Sequence, residues 1–271
     1  MKNVRFLKEI KFSEPPSLLV GWEKDIGSLA TGVINFLNEK LKTFYFCEIK
    51  PVEFFSIDEV SVKNGVIVFP QSKFYAAPEK GLIIFKSFTP IRKWWDFLNL
   101  ILDIVEKLQV KELFTINGNP WPVLHNQLRR VLTVRNDPKF KDELKRYGLL
   151  GMEYEGPPAI SSYLLWVAKE RKIPGLSLWI DICFYLSSFE DIRAQKRILQ
   201  FLDQRFNLEI NFEEIDEKIK KQDLELRHLR SQNPEIDSIF ESMEKGHPIN
   251  PIDQEKLIRA VFEHFSLLQK I

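Results

Sequence analysis

The residues best suited to chemistry follow a buried-looking strand in the middle of the chain. This strand, 113–117, leads into the sequence Gly118-Asn119-Pro120-Trp121-Pro122, and His125, Arg129 and Arg130 come soon after. In an open α/β sheet, a strand that runs into Gly and Pro presents a loop at the carboxyl edge, where ligands or partners dock. The segment therefore supplies the first ligand or interface candidates: Asn119, Trp121, His125, Arg129 and Arg130.

Each of these candidates also has an ordinary structural explanation. His125 is the best single candidate, yet a loop histidine that bonds to backbone would look the same in sequence, and we favour that role. Arg129 and Arg130 would either bind an anion or pair with acidic side chains across a subunit boundary. We favour the pairing, because of the family resemblance described below.

Other reactive patterns are missing from the sequence. The four histidines are scattered and none lies four residues from another, which excludes the helical zinc pattern. No Gly-x-x-x-x-Gly-Lys-Ser/Thr sequence occurs, and two prolines follow Gly156 where a phosphate cradle would need backbone N–H groups. Cys183 would serve as a nucleophile only if the loop of His125 converged on it, and we favour a buried thiol. We expect no metal, no cofactor and no nucleotide hydrolysis.

Aromatic side chains indicate further contact surfaces. Trp94 and Trp95 are adjacent on one predicted helix, so they point about 100° apart and are either core residues or interface anchors, with the core favoured. Phe74 and Tyr75 fall between two predicted strands, in a loop where large rings have no obvious core to fill. Phe74 and Tyr75 therefore join the interface candidates.

The hydrophobic pattern predicts the scaffold that positions these residues. Strands are predicted at 17–21, 44–49, 65–69, 81–85, 110–117, 127–134 and 175–181, and helices at 26–42, 91–108, 138–147, 161–170 and 191–206. Alternation of this kind is typical of a mostly parallel sheet covered by helices on both faces. The predicted fold class is α/β, with three α/β/α layers.

The composition changes after about residue 207. A charged helix is predicted at 212–230, followed by helices at 235–245 and 253–269. About 65 residues of this kind are too few to be secure alone. We therefore predict an α/β domain at 1–206 and a helical C-terminal appendage at 207–271, packed on the main domain or on another subunit.

Charge and cysteine content limit the class of protein. The 271 residues include 39 basic and 38 acidic ones, for a formal net charge of +1, so no global field recruits nucleic acid or an acidic membrane. Cys47 and Cys183 both lie in apolar segments, as expected for reduced thiols in the cytoplasm. The charged N-terminal residues do not suit a signal peptide, and no run reaches the ~20 apolar residues of a membrane span.

Several short motifs occur in the order and spacing of one known family. They are Leu18-Leu19-Val20-Gly21-Trp22 with Gly27-Ser28-Leu29-Ala30, Gly118-Asn119-Pro120 with Arg129-Arg130-Val131, Leu150-Gly151 with Gly156-Pro157-Pro158, Pro174-Gly175 followed by Phe184-Tyr185-Leu186, and Ala194 with Leu199 and Leu202. Together they cover about residues 15–210 and resemble the PAC2 family, named for a proteasome assembly chaperone. Trp22 and Tyr185, which belong to these motifs, complete the candidates.

The resemblance implies a fold of the kind also seen in nucleoside phosphorylases, and a homo-oligomer, a trimer or a multiple of one. Characterised eukaryotic and archaeal members act as chaperones for proteasome assembly. Two features depart from the family. The turn 21–27 lacks the usual Pro and one Gly, and its Glu23 and Asp25 would repel a phosphate at the helix N-terminus. The final residues, 268–271, lack the hydrophobic-Tyr-x tail with which several partners insert into the proteasome, which argues against that mode of docking.

Three hypotheses of function remain. The favoured one is a non-catalytic, homo-oligomeric protein-binding or assembly-chaperone-like protein. The alternative is a phosphorylase- or hydrolase-like enzyme that acts on a small ligand, for example a nucleotide-like one, in the crevice of the 118–130 loop with Glu153, Glu155 or Asp181. The third is a factor that binds RNA through the Lys/Arg-rich helix 214–230, but this helix carries many acids and is better explained as a solvated face. We therefore expect no nucleic-acid or membrane partner.

Overall fold

The computed structural model describes residues 3–63 and 65–268. The predicted end of the last helix at residue 269 and most of the C-terminal tail lie outside the described residues. Within this part of the chain, every helix is too short or too polar to span a bilayer.

A nine-stranded sheet forms the centre of the fold. In chain order the strands are β1 (Val4–Phe6), β2 (Ser17–Trp22), β3 (Phe44–Ile49), β4 (Ser61–Lys63), β5 (Val66–Val68), β6 (Ser72–Ala77), β7 (Leu82–Ser87), β8 (Glu112–Trp121), β9 (Val131–Arg135), β10 (Leu150–Gly151) and β11 (Gly175–Cys183). β4 and β5 form a separate hairpin, and the others pair in the order β1-β3-β6-β7-β2-β8-β11-β9-β10. The central strands β7, β2, β8 and β11 are mutually parallel.

Eight α-helices are described. They are α1 (Leu29–Lys40), α2 (Trp94–Lys107), α3 (Lys141–Arg146), α4 (Ile160–Glu170), α5 (Ile192–Phe206), α6 (Glu213–Gln232), α7 (Pro234–Glu244) and α8 (Pro251–Leu268). Short 3-10 helices occur at Ile26–Ser28, Pro51–Glu53, Ile57–Glu59, Pro78–Lys80, Pro138–Phe140 and Phe184–Leu186. The predicted α/β class, with a mainly parallel sheet and a helical C-terminal region, is confirmed.

Helices cover both faces of the sheet because the strands are apolar on both sides. In β2, Leu18 packs in the cluster under α2 and α4, whereas the next residue, Leu19, packs in the cluster under α1 and α5. Successive side chains of a strand point to opposite faces, so a continuous apolar run belongs to a strand buried on both sides. The two clusters fill the two interfaces between the sheet and the helices of a three-layer α/β/α arrangement.

A third apolar cluster joins the C-terminal helices to the carboxyl edge of the sheet. Val123, Leu124, Tyr185 and Leu186 from the edge meet side chains of all three helices, which are Leu226, Leu229, Ile236, Ile239, Phe240, Met243, Leu257 and Val261. The edge that the sequence predicts to be an open loop is therefore covered there by the chain itself.

The prediction of a loop at Phe74 and Tyr75 is wrong. These residues belong to β6, which pairs with β3 on one side and β7 on the other. Phe74 is fully buried, 4.4 Å from Phe85 between ring centroids, and Tyr75 is half-buried on the opposite face near Tyr45. The alternation of Ser72, Phe74 and Ala76 on one face is the strand pattern that the sequence interpretation missed.

Boundaries of several other predicted strands also differ from the structure. Residues 118–121 continue β8, whose pairing with β11 extends to Trp121 and Cys183. The strand predicted at 127–134 begins only at Val131, and the strand predicted at 65–69 lies in the β4–β5 hairpin, outside the main sheet. Local sequence carries a turn signal at Pro120, but pairing with a neighbouring strand overrides it.

Candidate functional site

His125 lies beneath the C-terminal helices. Its backbone N–H donates to the Tyr185 hydroxyl over 2.7 Å, and this hydroxyl lies 3.1 Å from the ring Nδ1. The ring meets Phe240 of α7 edge-on, at 5.7 Å between centroids. Burial, followed by the positive charge of Arg230, lowers the pKa of His125 to about 4. The geometry is that of a neutral, backbone-bonded histidine with no open face for a ligand.

Arg129 forms hydrogen bonds to the backbone of the same loop and to a buried carboxylate. Its guanidinium donates to both carboxylate oxygens of Asp191, with nitrogen–oxygen distances of 3.1 and 3.2 Å, and to the backbone oxygens of Leu124 and Gln127 at 2.8 Å. Both charged side chains are almost fully buried. Asp191 also caps α5 by accepting the N–H of Ala194. The predicted pairing of Arg129 with an acid therefore occurs within the chain, not across a subunit boundary.

Cys183 and Tyr185 complete this buried cluster. The Arg129 guanidinium donates to the Cys183 sulfur at 3.0 Å, whereas the His125 ring has the Tyr185 hydroxyl, not the thiol, as its hydrogen-bond partner. Burial raises the pKa of the Cys183 thiol and that of the Tyr185 phenol well above their ordinary values. A neutral, enclosed thiol matches the favoured sequence interpretation. Cys47, the other cysteine, is also free and buried.

The turn before α1 places the side chain of Asp25 at the N-terminus of this helix. An Asp25 carboxylate oxygen accepts the Ala30 N–H at 2.6 Å, at the N-terminus where a bound phosphate would otherwise sit. Burial is the main influence on this carboxyl and raises its pKa to about 6. Gly27, with φ at +67°, lets the turn pass against Ile182 of β11, which a Cβ would meet at 2.9 Å. The turn is therefore closed by the protein's own carboxylate.

Trp22 belongs to a buried polar network on the α4 face of the sheet. Its indole Nε1–H donates to the Ser161 hydroxyl at 2.9 Å, which in turn donates to the Asn117 side-chain oxygen at 2.6 Å. The Asn117 amide continues to Ser177 at 2.9 Å. Trp22 is thus a core residue whose hydrogen bond to Ser161 links β2 to α4.

An open cleft lies on this same face, beyond the end of the network. Its volume is about 980 Å³, and its lining includes Asn119, Trp121, Arg130, Tyr154, Pro158 and Trp179. Asn119 and Trp121 follow Asn117 on the same face of β8, because side chains alternate along a strand. Of the predicted candidates, Asn119, Trp121 and Arg130 are brought together here, while His125, Arg129 and Tyr185 are assembled beneath the C-terminal helices.

Arg130 and Asp181 form the charged part of the cleft. The Arg130 Nε donates to Asp181 Oδ2 at 2.6 Å, and its guanidinium lies 4.7 Å from the centre of the Trp121 ring. Arg130 is 45% exposed, whereas Asp181 is buried. As with Arg129, the acidic partner belongs to the same chain.

Two buried polar atoms near this cleft lack a hydrogen-bond partner. Among the buried side-chain nitrogens and oxygens of the described residues, only Trp179 Nε1 and Asp181 Oδ1 are unpartnered. Trp179 lines the cleft and Asp181 is the next residue on the same face of β11. Trp179 is not among the residues predicted from the sequence; the available signal was its position on the predicted strand 175–181, two residues before an aspartate.

A patch of exposed aromatic rings lies on α2 and α4. Trp95 and Trp166 are 48% and 49% exposed, with 5.8 Å between their ring centroids. Tyr163 stacks on Trp166 at 5.5 Å, and Trp94 lies 6.4 Å from Tyr163. We call these four residues the aromatic patch. Of these four residues, only Trp94 and Trp95 were singled out by sequence.

Residues that could hold a metal ion are not grouped in the described part of the chain. No cluster of three or more His, Cys, Asp or Glu side chains with suitable placement occurs in residues 3–63 and 65–268.

These features define a three-layer α/β/α protein whose carboxyl edge is partly covered by its own C-terminal helices and partly open as a cleft. The chain belongs to the PAC2 family, whose model matches residues 18–230, and the resemblance deduced from the sequence motifs is confirmed. No curated protein matches the sequence.

Solved structures share the fold at low sequence identity. PbaB, an archaeal proteasome activator from Pyrococcus furiosus, is 20% identical with a TM-score of 0.69, covering 85% of this chain and 100% of its own. PbaA, an archaeal homolog of proteasome-assembly chaperone from the same organism, is 17% identical with a TM-score of 0.64, covering 84% and 97%. A protein of unknown function from Corynebacterium glutamicum is 14% identical with a TM-score of 0.72, covering 98% of both chains.

Proposed function

We propose that this chain is a protein-binding, assembly-chaperone-like member of the PAC2 family that works as a homo-oligomer without catalysis. The observation that carries the proposal is the family match over residues 18–230. The fold likeness to an archaeal proteasome activator and to a homolog of proteasome-assembly chaperone supports the same role. The reduced, buried thiols support a cytoplasmic location.

The reactive side chains at the carboxyl edge of the sheet are buried and bonded within the chain, which supports a role in protein contacts over catalysis. Arg129 is committed to Asp191, His125 is neutral beneath α7, and the Cys183 thiol is enclosed. These groups stabilise the junction between the 1–206 domain and the 207–271 appendage that we propose. They therefore act as structural residues of the covered edge, and the alternative of an enzyme centred on His125 is not favoured.

The aromatic patch is the surface that we assign to self-association. Exposed tryptophans that lie side by side are rare on monomers and are enriched among binding hot spots. Arg171 holds the two supporting helices together: it donates to Asp103 at 2.7 Å and to Asn99, which in turn donates to the Trp95 carbonyl. These hydrogen bonds tie the end of α4 to α2, the two helices that carry the aromatic patch.

A second copy of this chain is the occupant that fits the patch. A two-fold contact requires a surface that matches itself, and two adjacent tryptophans satisfy this when Trp95 of one copy meets Trp166 of the other. The formal net charge of +1 leaves little long-range repulsion between copies. The client protein of the chaperone role would then bind elsewhere on the oligomer.

Sedimentation and native mass spectrometry test this proposal. We expect the purified chain to form a multiple of 32.0 kDa, and Trp95→Ser with Trp166→Ser to reduce it to smaller species. The matched control is Leu128→Ser, which removes another strongly exposed apolar side chain and leaves the mass unchanged. A wild-type protein that stays at 32.0 kDa at every concentration contradicts the homo-oligomer.

The chaperone-like role has its own measurement. The tagged protein is isolated gently from its own host, and its native mass spectrum reports subunit number and bound proteins together. The proposal expects a stoichiometric second protein on the oligomer. A bare oligomer in repeated isolations, with no client after cross-linking in cells, contradicts the assembly role.

A further inference from the structure

One edge of the nine-stranded sheet is open to solvent at β10. This strand is the last in the sheet order, and within the described sheet it pairs only with β9, through Leu150 and Gly151. Both residues are exposed, and a Cβ on Gly151 would meet nothing within 4 Å. An uncovered strand edge presents backbone groups with which another extended chain can pair.

The hydrogen bonds of β10 determine which backbone groups face outward. The Leu150 C=O accepts from the Thr133 hydroxyl at 2.8 Å, and the Met152 N–H donates to the Thr133 C=O at 3.0 Å, so both point toward β9. In a trans peptide the C=O and the following N–H point in opposite directions. The N–H and the C=O of Gly151 therefore both point away from the sheet. A donor and an acceptor on one residue are what an added strand engages.

An apolar row on the sheet runs up to this edge. Trp179 of β11 is the Cα partner of Leu132 of β9, and Leu132 is the partner of Leu150, so the three side chains share one face. All three line the open cleft. Leu150, the outermost, is 48% exposed. Because cross-strand neighbours on one face stabilise a sheet, an added strand gains most from an apolar side chain beside Leu150.

The segment after β10 gives this edge a negative charge. Glu153 and Glu155 are exposed, and neither forms an ion pair within the described part of the chain. Arg130, the cation that lines the cleft, is already paired with Asp181. The two glutamates therefore favour basic side chains on a chain that pairs with β10 and disfavour acidic ones.

From these observations we infer that the free edge of β10 binds an extended, basic segment of another protein by strand addition. The segment pairs with Gly151 through its backbone, places an apolar side chain beside Leu150 at the cleft, and brings lysine or arginine side chains to Glu153 and Glu155. A second copy of this chain fits less well, because its own edge carries the same two carboxylates. The assignment rests on the proposed protein-binding role and names the surface that a client uses.

Nuclear magnetic resonance of the Gly151 amide tests the site directly. The chain has 11 glycines, and the Gly151 signal is identified by its loss in Gly151→Ala. The probe is the peptide acetyl-Lys-Val-Lys-Leu-Lys-Val-Lys-amide, added to the full chain at up to about 1 mM, and its counterpart has glutamate in place of every lysine. We expect the basic peptide to shift the Gly151 signal saturably and to slow its hydrogen exchange. The acidic peptide is expected to bind at least about tenfold more weakly.

Variants of Gly151 decide whether the shift reports backbone pairing. Gly151→Pro removes the outward N–H and leaves the bonds to β9 in place, since proline is tolerated where an edge N–H faces solvent. Measured by fluorescence anisotropy of the labelled basic peptide, this variant is expected to bind about tenfold more weakly or less. Gly151→Ala keeps the N–H and is expected to stay within about threefold of the wild type. Urea unfolding checks that both variants fold.

A second set of variants tests the charge. Glu153→Gln with Glu155→Gln is expected to weaken binding of the basic peptide by about threefold or more at low salt. Glu217→Gln with Glu263→Gln, the same change at exposed positions on α6 and α8, leaves the affinity unchanged. Exposed substitutions of this kind rarely affect folding, so this set decides the question even if Gly151→Pro does not fold.

The inference is overturned by any of three outcomes. One is that neither peptide moves the Gly151 signal. Another is that both peptides bind equally well, or that folded Gly151→Pro binds as tightly as Gly151→Ala. The third is a Gly151 amide that is protected in the free chain and loses its protection on dilution, which assigns the edge to a second copy. An oligomer that carries a client and still gives one of these outcomes keeps the proposed function and loses only this docking surface.

Discussion

At the scale of single residues, burial decides chemical character. His125, Arg129 and Cys183 have side chains found in many active sites, but each is enclosed by the third apolar cluster and bonded within the chain. Arg130, one residue after Arg129, is 45% exposed and lines the cleft. Neighbouring residues in sequence thus serve unrelated parts of the structure.

The depressed pKa of His125 makes stability depend on acid. In the folded chain this pKa is about 4, below the ordinary value of 6.5, so between these values the unfolded state binds more protons. The contribution of His125 to the free energy of unfolding is therefore fully present above pH 6.5 and is lost as the pH is lowered toward 4. The largest loss attributable to this residue is about 3 kcal/mol, from 1.36 kcal/mol per pKa unit.

His125→Asn tests this dependence, because asparagine can accept from the Tyr185 hydroxyl without titrating. Urea unfolding at a series of pH values is expected to show a smaller loss between pH 6.5 and 4 in the variant than in the wild type. Asp25, whose raised pKa acts in the opposite direction between 3.8 and about 6, is present in both proteins and cancels in the comparison. Equal losses in the two proteins would contradict a buried, neutral His125.

At the scale of elements, glycines fix how the first turn meets the sheet. A Cβ on Gly118 of β8 would lie 2.8 Å from the backbone oxygen of Ile26, whose turn crosses the strand at this point. Backbone cannot move aside as a flexible side chain can. The 22–28 turn therefore passes close over β8 at Gly118.

Gly118→Ala is therefore expected to destabilise the chain by about 1–3 kcal/mol, as overpacking of a tight contact does. Gly151→Ala is the matched control, because a Cβ there meets nothing within 4 Å and its backbone has no positive φ. Its effect should stay within about 0.5 kcal/mol. Thermal or urea unfolding of both variants measures the difference, and equal stabilities would show that the turn does not rest on β8.

At the scale of the whole molecule, the C-terminal helices hold the covered edge shut. Phe240 of α7 packs on both His125 and Tyr185, with 5.7 and 5.3 Å between ring centroids. Cys183 lies in the same cluster, whereas Cys47 lies in the cluster under α2 and α4. The two thiols therefore report on different parts of the fold.

Thiol labelling under native conditions measures whether this cover opens locally. Phe240→Leu is expected to weaken the C-terminal packing by about 1.4 kcal/mol and to speed Cys183 labelling about tenfold. Labelling of Cys47, read from its own peptide by mass spectrometry, serves as the internal control and should change far less. An equal acceleration of both thiols would mean that the helices separate only when the whole chain unfolds.

The sequence by itself determined the family, the α/β class and most central elements, because apolar runs bounded by Gly and Pro are local properties. Strand 17–21, helix 161–170 and strand 175–181 agree with β2, α4 and β11 to within two residues at each end. The sequence did not predict β6 at Phe74 and Tyr75. These two aromatic residues were predicted to lie in a loop, but they pair with β3 and β7.

Only the tertiary structure decided which candidates share a site. The placement of α7 over His125 and the pairing of Arg129 with Asp191, 62 positions away, are not encoded in local spacing. The same holds for the cleft, which unites Asn119 of β8, Trp179 of β11 and Arg130, the residue before β9. Hydrophobic periodicity fixes which face of an element is buried, but long-range packing determines what that face meets.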